Sequence, residues 1–360
     1  MRRPHGTDAA LGPLFTGGWA KGVPAISGFR IKVIGTRVRR GALRWLCPVS
    51  GLAWLSGCNT HQSALAPFGA EADALRSLLI LLLIGAVLLA AGLFWLMRRA
   101  VTSPEGAITH RQGMRMVLWL GGVFPTILLG GLLIYSLPMM KPAPVGPADL
   151  RVRVDAQQFW WRTLYRTPGG PVEGANELRL PVGRTVSLEL TAGDVIHSFW
   201  VPGLAGKMDM IPGRVTNLVV RAEKPGRYRG VCTEFCGLSH ALMAFDVVAM
   251  PPAAFDAWLA TQARSARAEA GAGAQLFASY GCGACHGIRG TAQAGTIGPD
   301  LTHFASRQTL AAGILEPTTP NIARFIRHPE ATKPGVRMPA FPQMREAEAT
   351  AIARYLQGLK

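Results

Sequence analysis

The sequence predicts a multidomain membrane protein: a two-helix transmembrane hairpin, then an all-β sandwich, then an all-α domain. Three observations carry this reading. Two uncharged apolar runs, Ser77–Met97 and Met116–Met140, lie close together. Between residues 141 and 260, short stretches with alternating or β-branched residues are punctuated by Gly and Pro. Residues 273–360 open and close on helical patterns.

With 38 Lys+Arg against 21 Asp+Glu, the formal net charge is +17 over 360 residues, and 49% of residues are hydrophobic. That composition excludes a disordered chain and departs from an ordinary soluble domain. The length allows two or three domains. A basic excess can mark nucleic-acid binding, so its placement decides. Residues 1–57 hold nine basic side chains and one acid, Asp8, while residues 98–115 hold Arg98, Arg99, Arg111 and Arg115 against Glu105. The excess therefore flanks apolar runs. That is the pattern of membrane topology, and no nucleic-acid partner is expected.

Ser77–Met97 would be about 31 Å long as a helix, which matches the hydrocarbon core of a bilayer. Met116–Met140 contains Pro125 and Pro138, tolerated in a membrane helix where neighbouring groups satisfy the freed backbone. A buried helix of a soluble domain is the alternative, and the run lengths weigh against it. The short arginine-bearing loop between the runs belongs in the cytoplasm, so the chain after Met140 lies on the periplasmic side of a bacterial inner (plasma) membrane.

Upstream, Arg37, Arg39, Arg40 and Arg44 precede Trp45–Leu55, an apolar stretch too short to span, and residues 1–57 read as a signal peptide. It ends in Leu55-Ser56-Gly57-Cys58, which resembles the lipobox of bacterial lipoproteins, in which the cysteine carries the lipid. Lipidation at Cys58 is expected, against the alternative of a chance cysteine after small residues. Residues before about Val33 exceed a signal peptide, and no Met lies between Met1 and Met97; they read as an extension from an over-called start codon. Residues 58–75 would form the mature N-terminal segment and 76–140 the hairpin.

Of the six cysteines, Cys47 lies in the signal region. Four others form two pairs, Cys232/Cys236 and Cys282/Cys285. Disulfides are the default in an oxidising compartment, yet each pair sits among other metal ligands. Cys282-Gly283-Ala284-Cys285-His286 is the pattern of c-type haem attachment: two thiols form thioethers to the porphyrin vinyls and the adjoining imidazole takes the iron. A CxxC redox pair needs neither His286 nor this setting.

Residues 273–360 as a whole resemble class I cytochrome c. The resemblance implies a helix over Gly273–Tyr280 and a closing helix over Arg345–Leu359, with Ala349, Ile352, Ala353 and Leu356 on one face. In Gly298-Pro299-Asp300-Leu301 it implies that Pro299 packs on the haem and that its carbonyl orients the proximal His286. It also implies Met338 as the sixth ligand, with Met344 as the competitor. His303 and His328 read as surface or hydrogen-bonding histidines. Residues 262–272 read as a linker, and the preceding domain ends near residue 260.

The segment Cys232-Thr233-Glu234-Phe235-Cys236-Gly237-Leu238-Ser239-His240-Ala241-Leu242-Met243 combines soft sulfur and imidazole, which select copper or zinc over hard cations. A tetrahedral zinc site is one solution. Two thiolates bridging a pair of copper ions, with one His terminating each, is the other. Together with Asp194-Val195-Ile196-His197-Ser198-Phe199-Trp200 and Met208-Asp209-Met210-Ile211-Pro212, the loop resembles subunit II of haem–copper cytochrome c oxidases, of the kind with a cytochrome c domain fused at the C-terminus. The resemblance covers residues 58–360.

It implies a cupredoxin-like sandwich over 141–260 and a dinuclear copper (CuA) centre held by His197, Cys232, Cys236, His240 and Met243, completed by the Glu234 carbonyl. The Glu234 carboxylate would reach a magnesium or manganese ion shared with the catalytic subunit; an ordinary exposed glutamate is the alternative. Strand signals at Leu150–Val154, Glu177–Pro181, Thr185–Leu190, Arg214–Arg221 and Gly226–Val231 support the sandwich, with one short helix over Ala253–Thr261.

The implied function is the electron-input subunit of an oxidase, passing electrons from a covalent haem c to CuA and on to a catalytic subunit I that reduces oxygen to water. Subunit III, membrane lipid and an external donor complete the expected partners; the donor would be a soluble or membrane cytochrome or a quinol-oxidising complex. Tethering makes the haem-to-copper encounter intramolecular.

Two departures stand out. Where the family shows Trp-Tyr-Trp, whose first Trp takes electrons from soluble cytochrome c, this chain has Phe159-Trp160-Trp161. The second run also lacks the glutamate that many relatives place near a proton channel. Rival readings are a copper-delivery or thiol-redox protein, which would lack His240 and Met243; a lone membrane electron shuttle; and a nitrous-oxide-reductase-like protein, for whose His-rich domain there is no room. Arg324, Arg327, Lys333 and Arg337 suggest either an acidic donor's docking face or a solvated basic face.

Overall fold

The computed structural model describes residues 59–140 and 148–360. The signal-peptide and Cys58 lipidation expectations lie outside the described residues.

Helix α1 runs over Ala70–Thr102, longer at both ends than the apolar run. Glu71 and Asp73 in its first turn complement the positive helix terminus, which carries the helix past the hydrocarbon segment. The second apolar element starts at α2 (His110–Met116), where Thr109 and Gln112 form a reciprocal cap. It continues through a π-helical stretch, Val117–Val123, into α3 (Phe124–Ser136) and a final 3₁₀ turn, Leu137–Met140. Mean hydropathy reaches 2.8 in the first element and 2.1 in the second. Leu83, Ile84, Val87, Leu88, Ile127 and Ile134 are exposed, an apolar surface suited to lipid.

The β domain has ten strands. In the first sheet, β1 (Leu150–Gln157) is central, with β2 (Trp160–Thr167) and β3 (Gly170–Ala175) on one side and β5 (Thr185–Ala192) and β8 (Thr216–Arg221) on the other. The second sheet has the order β4 (Glu177–Pro181), β10 (Ala244–Met250), β9 (Gly226–Cys232), β6 (His197–Trp200), β7 (Met208–Met210). Along β1, Leu150, Val152, Val154 and Ala156 point inward while Arg151 and Arg153 face solvent. Trp161, Leu178, Leu188, Leu190, Phe199 and Phe245 fill the space between the sheets. Trp161 meets Phe199 edge-on and His197 at a tilt, so the aromatic core supports the site above it. Helix α4 (Pro252–Gln262) closes the domain, packing Phe255 against Tyr165.

The C-terminal domain is helical: α5 (Ala272–Ser279), α6 (Thr319–Arg327), the short α7 (Pro329–Thr332) and α8 (Glu346–Gly358). Ala349, Ile352, Ala353 and Leu356 of α8 are buried beside Phe277, Ile322 and Ile326. Gly273 of α5 lies so close to the Ala351 carbonyl that a Cβ has no room.

This domain is seated on the sandwich. The Ala244 amide donates to the Ala312 carbonyl (3.1 Å), Arg229 to the Gly313 carbonyl (2.8 Å), and the Thr309 hydroxyl to Asp246 (2.6 Å). The connecting segment is also tied down, with Ala266 N donating to Arg289 O and Arg267 N to Lys360 O.

Candidate metal and haem sites

Strand β9 delivers Cys232 at its last residue, and β6 presents His197 from its first. The two strands pair through Phe199 and Cys232, which brings residues 35 positions apart to one end of the sandwich. The Cys232 Sγ lies 3.8 Å from His197 Nδ1, 3.9 Å from Cys236 Sγ and 3.2 Å from the Glu234 carbonyl. Cys236 Sγ lies 3.6 Å from His240 Nδ1 and 3.8 Å from the Met243 sulfur. A disulfide needs sulfurs about 2.05 Å apart, so these are two free thiols. The structure thus gathers His197, Cys232, Glu234 O, Cys236, His240 and Met243 in one cluster. The Glu234 carboxylate is half-buried and among the described residues has no hydrogen-bond partner.

Electrostatics tell what the cluster suits. The contact with Cys236, aided by His197, pulls the Cys232 thiol down to about 3. The resulting thiolate and burial together push Cys236 up. One proton leaves readily, and the second leaves only when a cation offsets the paired negative charges. Burial works to lower the His197 pKa; its contacts with Cys232 and Asp194 outweigh that and raise it. The His197 Nε2 pairs with Asp194 at 2.9 Å, leaving Nδ1 toward the sulfurs. This carboxylate–histidine arrangement is the usual support of a metal-ligating imidazole. The donor set fits a soft-metal centre with bridging thiolates.

The second site is an apolar cleft of about 1190 Å³, counting space open to solvent, lined by Cys285, His286, Pro299, Ile322, Phe325 and Met338 among others. Cys282 is not among the lining residues; it packs against the helical core. The His286 Nδ1 donates to the Pro299 carbonyl at 2.8 Å, and burial lowers its pKa. The imidazole is therefore neutral and keeps Nε2 free for a metal. A Cβ on Gly298 would stand 2.6 Å from the His286 ring, so glycine is required there. Met338 lines the same cleft, whereas Met344 is 1% exposed within the helical core. The cleft fits a flat apolar macrocycle with His286 on its iron.

Phe159 and Trp160 also line this cleft. Phe159 is buried, and a Cβ on Gly237 of the cysteine loop would sit 3.2 Å from its ring. Phe159 therefore touches both the cleft and the cysteine loop.

Residues 156–250 match the family described as cytochrome c oxidase subunit II, periplasmic domain, and residues 270–360 match cytochrome c. The chain is 34% identical over 340 residues to cytochrome c oxidase subunit 2 of Alkalihalophilus pseudofirmus, covering 87% of this chain and 96% of that one. The chain belongs to the cytochrome c oxidase subunit 2 family. The corresponding protein of Bacillus subtilis is 32% identical over 252 residues, 66% of this chain and 70% of that one. A crystal structure of the periplasmic domain of subunit II from Bradyrhizobium japonicum aligns with a TM-score of 0.31 and 30% identity, covering 33% of this chain and 96% of that one.

Membership makes the chain part of a haem–copper oxidase, an oxidoreductase with an electron-transfer role. It implies copper in the first matched region, haem in the second, and association with catalytic subunits. The anchor is in the membrane and the two domains are periplasmic.

Several residues at the sites carry no motif that sequence reasoning could use. Gln158 donates its backbone N–H to Asp194 (2.8 Å) and its side-chain amide to the Cys236 carbonyl (2.5 Å). Lys333 is 2% exposed and donates to the Leu242 and Ala311 carbonyls (3.1 and 3.0 Å); burial pushes its ammonium down to about 7. Arg337 pairs with Asp194 at 3.2 Å. Of the four basic residues suggested for an external donor, Lys333 and Arg337 are thus turned toward the copper domain of the same chain.

Proposed function

We propose that this chain is the electron-input subunit of its oxidase: Cys282, Cys285, His286 and Met338 would hold a covalent haem c, the cysteine cluster would hold a dinuclear copper centre, and the two groups would carry single electrons toward the oxygen-reducing subunit. The observation that supports this best is the convergence of two thiols, two imidazoles and a thioether in one cluster, with Phe159 touching both its loop and the CxxCH cleft.

The residues divide the work. Cys232, Cys236, His197, His240, Met243 and the Glu234 carbonyl would hold the copper, which would supply a one-electron acceptor. Soft sulfur and imidazole favour copper, and a buried, strongly tied cluster keeps geometry fixed between oxidation states. His286 is held in one tautomer by Pro299. A thioether from Met338 would raise the potential of a bound haem and favour electron transfer over oxygen activation. Phe159, Trp160 and the apolar lining exclude water between the sites. The Glu234 carboxylate is left to bind a magnesium or manganese ion with the catalytic subunit, and an external cytochrome or a quinol-oxidising complex is the donor. The two apolar elements make the anchor multi-pass.

Metal and haem analysis of the purified full chain, with electron paramagnetic resonance of its oxidised form, tests this. Two coppers per covalent haem, with one unpaired electron shared over both, is the expected result. Zinc in the cluster, or thiols that cycle without copper, overturns it.

A further inference from the structure

Besides the contacts at Thr309, Ala312 and Gly313, one loop of the haem domain, Lys333–Met338, bonds to the copper domain around the cysteine cluster. Its first residue, Lys333, donates into the copper loop at Leu242. The next carbonyl, Pro334 O, accepts from the Ser239 hydroxyl at 2.6 Å. Gly335 lies against Leu238 and Phe159. Then Arg337, immediately before the cleft-lining Met338, reaches the Asp194 carboxylate. That carboxylate is already engaged: one oxygen meets His197 Nε2 and the Val195 amide, the other the Gln158 amide. Asp194 is 9% exposed and Arg337 63%, so the acid is built into the copper side while the base arrives from the haem side.

We propose that Arg337 is a positioning residue that couples the two sites: its guanidinium shares Asp194 with the His197 imidazole, so that seating of the haem domain tunes the copper centre toward accepting the electron. This rests on the electron-relay reading above. The physical reason is charge. A carboxylate on the far nitrogen of a ligating imidazole makes that ligand more basic and favours the more oxidised metal. A guanidinium on the same carboxylate draws off part of that charge and favours the reduced metal. Lys333 and Ser239 hold the loop in register, which lets a half-exposed ion pair form in one geometry.

The test is a double-mutant cycle on the full chain, reading the haem-to-copper electron distribution at equilibrium by absorbance and paramagnetic resonance in wild type, Arg337→Gln, Asp194→Asn and the double variant. Arg337→Gln should shift the distribution toward the haem by roughly two- to five-fold, the range of a single exposed ion pair. The shift should vanish in the Asp194→Asn background, shrink at high salt, and be absent in Arg337→Lys. Hydrogen exchange at the Ala244 amide, which donates across the domain contact to Ala312, reports in metal-free protein whether each variant stays seated. No shift in a seated Arg337→Gln chain, or an equal shift with and without Asp194, overturns the proposal. Wild-type protein lacking the shared-copper signal would instead defeat the relay reading itself.

Discussion

Met338 and Met344 are six residues apart, and their surroundings separate them. Met338 faces the cleft, while Met344 sits in the helical core with Ile352 and Leu356. Met338→Ala is expected to abolish the low-spin His/Met spectrum with little loss of fold. Met344→Ala should leave the spectrum unchanged and cost about 2–5 kcal/mol, as for other buried large-to-small changes. Spectra and denaturant melts of the two variants check this. The members of the cluster were legible because spacing within one short loop confines most of them: Cys232, Cys236, His240 and Met243 fall within twelve residues. Their supports were not. Gln158 and Lys333 bond to groups 78 and 91 positions away, and nothing in the local pattern of either residue points across that distance. Asp194, three residues before His197, was visible only as part of the motif and gained a role when its oxygens were placed.

At the scale of elements, the closing helix α8 carries a test of charge. The Glu348 carboxylate accepts from the Arg345 backbone N–H (2.9 Å) and side chain (2.7 Å) and from the Tyr280 hydroxyl (3.0 Å). Its link to the Arg345 side chain and backbone holds it down at about 2. A carboxylate with a folded pKa below its unfolded value adds stability above the unfolded value, near 4.5, and loses it as pH falls toward 2. Glu348→Gln should therefore lower the melting temperature of the haem domain at pH 7, and the gap from wild type should narrow steadily below pH 4.5. A gap independent of pH would count against this pairing.

Element boundaries were legible where one cue dominated. Strand β4 runs over the predicted Glu177–Pro181 because each end is marked by a turn residue. Strand β10 was missed since Ala244–Met250 is buried on both faces and shows no alternation. Strand β2, Trp160–Thr167, is absent from the sequence signals because Arg162 and Arg166 interrupt its apolar residues, although its burial alternates. The π-helical stretch at Val117–Val123 has no local signature beyond its apolar composition.

The whole molecule differs from a pair of domains on a loose tether. The connecting segment after α4 lies bonded to the haem domain, and the haem domain is bonded to both sheets of the sandwich through Arg162, Asp246, Arg229 and Ala244. A resident contact removes the search that even a short tether leaves. It also gives Phe159 a consistent place: the residue faces this chain's own cleft, so a ring suited to a soluble visitor is not needed there. In the proposed relay, electrons pass from the haem domain to the copper domain of the same molecule. The most direct measurement is rapid mixing of the oxidised holo-oxidase with less than one equivalent of reductant, following the haem and copper bands over a range of protein concentrations. Haem should be reduced first, and copper reduction should then follow at a rate independent of protein concentration. Copper reduced ahead of the haem, or a second step that accelerates with protein concentration, would contradict it.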